Sequence, residues 1–423
     1  MVNRINFIYN KKKVFHIFAY ALAGSIYEDD KYRGISHLLE HMVLKHTKKY
    51  TEKELLSQIT TLGGSYNAVT DRDVTFYYIL THMDNFKKSV DIVHSVMNEP
   101  IFQKYEFDLE RKVVFEEISR RLDNDGNLYN LSYLSILGIN NIYAQPVEGN
   151  RKTLNNVTVD DLTNYFKERY KNIMIFVNCD IHSKDEVEKY LFHKFGNNKP
   201  LQNFNEIPII YKGLDFASRI IVVPKKYGQY TTHIMFPSFP RSMIKENIIL
   251  NFIKYCLSSS GLYSILMFQL RAKRGLIYSI SSINETYRYL GLLRIVIQTS
   301  DKDTCHILSI VLNILQKLKN NGLSDKLIKY YKIGYLNEQK YAFTSDEFNT
   351  IFHSEGLFYG CDISMDDYLQ SIKSISADDI KEIASKILDF NKIGIFTYGN
   401  YKQANSIEKS IKDMVDSYCA LQQ

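Results

Sequence analysis

Along the first hundred residues the spacing of apolar positions changes several times, and each change marks an element. Asn6 to Tyr9 and Val14 to Leu22 alternate with the period of a strand, divided by the polar turn Lys11-Lys12-Lys13. An acidic loop from Glu28 to Gly34 leads into a helix from about Ile35 to Lys45. A second helix, Thr51 to Thr61, opens on a Thr-x-x-Glu capping box of Thr51 and Glu54 and stops at Gly63-Gly64, where a left-handed cap requires glycine. Ser65 to Val69 and Val74 to Thr81 read as strands around the turn Asp71-Arg72-Asp73, and Asn85 to Asn98 and Lys104 to Leu122 read as amphipathic helices.

After a passage with turn character, roughly Asn197 to Gly213, the same order recurs with weak similarity. Helix Leu262 to Lys273, Gly275, strand Ile277 to Ile283, strand Gly291 to Thr299 and helix Thr304 to Asn320 repeat the unit that began at Thr51. Internal duplication is the simplest explanation. The reading is α+β, with two similar domains over residues 1–200 and 201–423, each a mostly antiparallel sheet packed by helices. A chain of 423 residues gives each half enough length to bury its own core.

Composition narrows the class. With 45% hydrophobic and 24% charged residues the chain reads as ordinary soluble protein, and a net charge of +6 spread among interspersed lysines and glutamates demands neither nucleic acid nor an acidic membrane. No stretch reaches the apolar length of a membrane span. Cys179, Cys256, Cys305, Cys361 and Cys419 are odd in number and widely scattered, so they read as reduced thiols in a cytoplasmic setting, without a metal role. Lys11 to Lys13 followed by Val14 to Ala23 imitates a signal peptide. His16 and Tyr20 weaken its apolar core, and the alternation favours a strand.

The chemistry is concentrated in Gly34-Ile35-Ser36-His37-Leu38-Leu39-Glu40-His41-Met42. On a helix His37 and His41 share one face a turn apart, with Glu40 beside them. Two imidazoles at this spacing can bind one Zn²⁺ while the carboxylate, left off the metal, accepts a proton from water. An amphipathic helix carrying two incidental histidines is the bland alternative. A third ligand is sought on Lys104 to Leu122, where Lys112, Glu116 and Arg120 form a solvated charged column. Glu117 follows Val113 and Val114 at helical spacing and so lies against the buried stripe, with Glu110 two turns earlier on nearly the same face. An inward carboxylate needs a partner, and either a metal or an arginine such as Arg121 can serve. His46, five residues past His41 and off its face, reads as a surface residue.

His37-Leu38-Leu39-Glu40-His41, Leu62-Gly63-Gly64-Ser65-Tyr66-Asn67-Ala68-Val69-Thr70 and Glu110-Arg111-Lys112-Val113-Val114-Phe115-Glu116-Glu117 together resemble the pitrilysin or insulinase (inverzincin) family of zinc peptidases. The half-length chain points to the branch that includes the mitochondrial processing peptidases and their bacterial relatives. The family's third ligand is a glutamate seventy to eighty residues beyond the second histidine, and Glu117 lies 76 beyond His41. The resemblance implies one zinc per chain on His37, His41 and Glu117, Glu40 as base and Glu110 as a supporting carboxylate. It assigns substrate main-chain contacts to Asn67 and Ala68, whose bland reading is a strand start after a glycine turn.

Leu270-Arg271-Ala272-Lys273-Arg274-Gly275-Leu276-Ile277-Tyr278 resembles the family's Arg/Tyr motif, with Arg271 engaging substrate backbone and Tyr278 donating to the oxyanion. Without the family, Arg271 is a solvated helix residue and Tyr278 an ordinary strand aromatic. Family architecture further implies a homodimer or heterodimer acting on peptides or unfolded segments, the pair reaching an opposing subunit's zinc. His46-Thr47 stands where the family often has Gly-Thr, and Ser36 where a small apolar residue is common. The function expected is zinc-dependent endopeptidase. A non-catalytic homologue serving as scaffold or partner subunit is the alternative, and a peptide-binding chamber without turnover a third reading.

Overall fold

The computed structural model describes residues 4–123, 126–196, 201, 216, 219–226, 228–300 and 303–420; the expected turn passage from 197 to 213 lies, but for residue 201, outside them. The chain forms two compact units, neither continuous in sequence. The first comprises 1–127, 145–211 and 344–362, and the second 128–144, 212–343 and 363–423.

The first unit is built on β1 (Ile5–Asn10), β2 (Val14–Ala21), β3 (Ser65–Thr70), β4 (Thr75–His82) and β5 (Met174–Asp180), in the order β1-β5-β2-β4-β3. Only β1 and β5 run parallel; the other neighbours are antiparallel. The second unit repeats the plan with β6 (Arg219–Pro224), β7 (Tyr230–Ser238), β8 (Ser279–Thr286), β9 (Gly291–Thr299) and β10 (Gly394–Gly399), in the order β6-β10-β7-β9-β8, with β6 and β10 parallel. Strand for strand the two sheets correspond, as expected of a duplicated α+β chain.

The first four α-helices of the chain all belong to the first unit: α1 (Ile35–Met42), α2 (Glu52–Leu62), α3 (Phe86–Asn98) and α4 (Lys104–Asp123). Residues Phe15, Ile17, Ala19 and Ala21 of β2 face one core with Leu38, Leu39, Met42, Val90 and Val114 of these helices. The alternate residues Phe18 and Tyr20 face a second core with Phe176 and Phe358, the latter on helix Asp346–Tyr359. Burial on both faces explains why Val14 to Ala23 is apolar nearly throughout and so imitates a signal peptide. Its two polar positions are paired: His16 Nδ1 lies 2.9 Å from Thr350 Oγ1, and Tyr20 OH 2.7 Å from Ser354 Oγ.

The Thr51/Glu54 capping box is present, and α2 ends at Gly63. Gly64 has φ +104°, and a Cβ there would lie 2.2 Å from the Leu80 carbonyl oxygen, so the entry to β3 requires glycine. β3 is an edge strand. Helix α1 stops at Met42, three residues early, because the chain tightens into i→i−3 bonds such as Lys45 N–H to Met42 O.

The largest departure is in the second unit. Where one helix from Leu262 to Lys273 is expected, short turns run from Gly261 to Ala272, ending in a π turn at Phe268–Ala272. A helix at Ile244–Lys254 precedes them and takes the place of α1 in the strand order. A further helix, α5 (Gly126–Leu137), enters the second unit from Leu128 onward. There the fully buried Arg294 stacks 4.2 Å from the ring centre of Tyr129 and 4.5 Å from that of Tyr133, and its Nε lies 3.0 Å from Glu285 Oε1. Among the described residues no helix is long and apolar enough to cross a membrane.

Candidate metal centre

Helix α1 owes its position to both of its sides. Leu38, Leu39 and Met42 are fully buried, which leaves His37, Glu40 and His41 on the half-buried opposite face. At its start Gly34 takes φ +95°, and a Cβ would meet the Glu148 carbonyl oxygen at 2.4 Å. The buried Glu28 carboxylate receives the Gly34 amide at 2.8 Å and the Ser36 amide at 2.9 Å, satisfying two donors that a helix leaves without intrahelical partners. Burial nevertheless pushes Glu28 up to about 7. Ser36, fully buried, pairs its hydroxyl with Tyr165 OH at 2.7 Å, which accounts for a polar residue where an apolar one is usual.

The two imidazole rings stand 4.8 Å apart, centre to centre. Glu117 Oε2 lies 3.8 Å from His37 Nε2 and 3.7 Å from His41 Nε2, and one ligand atom from each of the three residues falls within 4.8 Å of the others. Two ligands on one tetrahedral zinc ion, each about 2.1 Å from it, stand about 3.4 Å apart, so two nitrogens and a carboxylate oxygen at these spacings fit zinc. His37 suits the part of a neutral nitrogen ligand: burial, with His41 and Arg121 nearby, brings it down to about 3.

The reason Glu117 faces the histidines differs from the one expected. Val113, one turn before it, is exposed, and the buried stripe of α4 is Phe107, Glu110, Val114 and Ile118. Glu117 therefore sits at the margin of the core, half-exposed on the side of α1, and Glu110 is the buried carboxylate. The arginine alternative is taken elsewhere, since Arg121 forms its ion pair with Glu148. Lys112, Glu116 and Arg120 are exposed, as their charge pattern implied.

Around these three, Glu40 Oε2 accepts the Thr70 hydroxyl at 2.6 Å, and Thr75 donates to Thr70 Oγ1 at 3.3 Å. Burial, reinforced by Glu117, raises Glu40 above the usual carboxylate range despite the Thr70 bond and His41. Glu110 Oε2 lies 3.1 Å from His41 Nδ1, and its Oε1 lies 2.7 Å from Lys45 Nζ. Burial alone would raise Glu110, but the His41 and Lys45 bonds outweigh it and hold it low. For His41 burial pulls downward, while Glu110, Glu117 and Glu40 together move it above its ordinary value.

Thr70 and Lys45 were not singled out from the sequence. Lys45 follows His41 by four residues, a spacing that places it one turn further along the helix face, so a signal existed. His46 is half-buried rather than on the surface, with Nδ1 3.2 Å from Gln103 Nε2 and 3.6 Å from Glu106 Oε1. Asn67 and Ala68 lie on the edge strand β3, paired with Tyr78 and Tyr77 of β4. Arg271 and Tyr278 belong to the second unit, both exposed, with the guanidinium 6.0 Å from the tyrosine ring centre.

Residues 9–136 match the family model described as insulinase (peptidase family M16), and residues 156–335 match that of the peptidase M16 inactive domain. The chain is 25% identical over 371 residues to a Rickettsia felis protein named as an uncharacterized zinc protease, covering 86% of this chain and 87% of that one. It is 22% identical over 393 residues to the human mitochondrial-processing peptidase subunit beta, covering 90% and 79%. A crystal structure of a protease from Helicobacter pylori superposes with a TM-score of 0.83 at 22% identity, over 93% of this chain and 96% of that one, which establishes a common fold. The two family models together span most of the chain and meet on a duplicated fold with a His-x-x-Glu-His helix, and the chain belongs to the insulinase family of peptidases, family M16.

Proposed function

We propose that the chain is a zinc-dependent endopeptidase holding one zinc ion through His37, His41 and Glu117. The convergence of these three side chains, with Glu40 beside them and left out of the set, carries the reading. When bound, zinc polarises a peptide carbonyl and lowers the pKa of water. Glu40 takes the water's proton and delivers it to the leaving amine, its carboxylate steadied by the Thr70 hydroxyl. Glu110 supports the site through His41 Nδ1. The free edge of β3 at Asn67 and Ala68 receives an extended peptide through main-chain hydrogen bonds, with little dependence on its sequence.

Arg271 engages the substrate backbone and Tyr278 donates to the developing oxyanion, an assignment supported by the family motif and by the exposed placement of both side chains, 6.0 Å from guanidinium to ring centre. The active form is a homodimer or a heterodimer with a homologous subunit. None of the five cysteines forms a disulfide among the described residues, which suits a cytoplasmic setting.

Metal analysis of purified protein and of His37→Ala tests the ligand set. The reading expects about one zinc per chain in the parent and less than about a tenth of that in the variant, as one of the three protein ligands is lost. Equal zinc in the two would remove His37 from the site. Zinc-loaded protein that binds peptides without cutting them would favour the peptide-binding chamber without turnover.

A further inference from the structure

The two histidines of the centre are not held alike. His37 Nδ1 is buried with no hydrogen-bond partner among the described residues, whereas His41 Nδ1 meets Glu110 Oε2 at 3.1 Å. Glu110 is in turn held by Lys45, whose Nζ also lies 2.6 Å from Glu52 Oε1. The ammonium thus stands at a junction of three helices. Lys45 follows α1, Glu110 is on α4, and Glu52 is in the first turn of α2, the helix that leads through Gly63-Gly64 into the edge strand.

We infer that Lys45 is a positioning residue for the metal centre, acting through Glu110 to set the tautomer and orientation of His41. The inference rests on the zinc reading of the site. A carboxylate accepting at Nδ1 keeps the proton there and leaves Nε2 unprotonated and able to ligate a metal, with Glu117 Oε2 3.7 Å away. Glu110 can do this only with its acceptor oxygen held in place, and its other oxygen is fixed by Lys45 at 2.7 Å. Because His37 has no such partner, the Lys45–Glu110–His41 chain is the device that orients an imidazole of this centre among the described residues. Losing a partner of this kind weakens metal binding by about 10- to 100-fold.

The test compares zinc affinity, by chelator competition, in the parent, Lys45→Met and Lys45→Arg, together with the visible spectrum of the cobalt-substituted proteins. A tenfold or greater loss of affinity and an altered cobalt spectrum are expected for Lys45→Met. Substantial recovery is expected for Lys45→Arg, which keeps charge and donors. Apo-protein melting separates these effects from general destabilisation, and if Lys45→Met does not fold, Lys45→Gln replaces it with the same expectation. Unchanged zinc affinity and cobalt spectrum in the folded neutral variant would overturn the role of Lys45 alone. Failure of the parent to bind zinc would instead bring down the reading on which it rests.

Discussion

At the scale of single residues, the centre depends on groups that do not touch the proposed metal. Glu28 is the clearest, a carboxylate buried at the start of α1 whose pKa is raised from 4.5 to about 7 because burial outweighs two backbone donors. Since the folded value lies above the unfolded one, the native state binds the extra proton between these limits. Its contribution to stability is therefore full below about pH 4.5 and is lost as the pH rises through about 7. A shift of this size corresponds to about 3 kcal/mol. In Glu28→Gln that slope is absent, so urea unfolding from pH 4.5 to 8 should show the parent losing up to about 3 kcal/mol relative to the variant. Parallel stability curves would contradict this. Spacing on α1 made His37, Glu40 and His41 legible, since one helix turn brings them together. Glu28 was not, because its role depends on a loop folding back, and Glu117 was reached through a valine stripe that is in fact half exposed.

At the scale of elements, local signals marked the antiparallel hairpins and helices α1 to α4 to within a few residues, while helices Val159–Arg169 and Lys184–Phe195 of the same unit were not marked. The Thr51/Glu54 capping box and the Gly63-Gly64 stop are properties of a few adjacent residues, and the structure keeps both. The broken turns from Gly261 to Ala272 carry no comparable punctuation, as Leu266 and Leu270 at helical spacing read the same in a helix or in a run ending in a π turn. Parallel pairing of β1 with β5 and the entry of helix Asp346–Tyr359 into the first unit are set by contacts more than 150 residues apart, which periodicity cannot report. That helix matters energetically. Phe358 is fully buried and stacks on Tyr20, with ring centres 5.1 Å apart. Phe358→Ala should cost about 3–5 kcal/mol in urea unfolding. It should leave zinc content intact, because Phe358 packs on the face of β2 opposite that covered by α1. A loss below about 1 kcal/mol would show that this helix is dispensable to the unit.

At the scale of the whole molecule, one fold plan occurs twice and carries its chemistry once. Both sheets have the same strand order, yet only the first unit holds the His-x-x-Glu-His helix, while the helix in its place in the second, Ile244–Lys254, has no histidine. The duplication was legible because the hairpin-and-helix pattern recurs, whereas the exchange of segments between the two stretches of chain was not, because contacts between residues far apart in sequence decide it. The central claim is that the first unit turns over peptides with Glu40 as base. Its most direct test is to assay zinc content and cleavage of a quenched peptide of mixed sequence on the purified protein and on Glu40→Gln. The account predicts about one zinc per chain in both, with cleavage in the variant reduced by about 10²- to 10⁴-fold. Absence of zinc from the parent, or cleavage unaffected by the substitution, would contradict it.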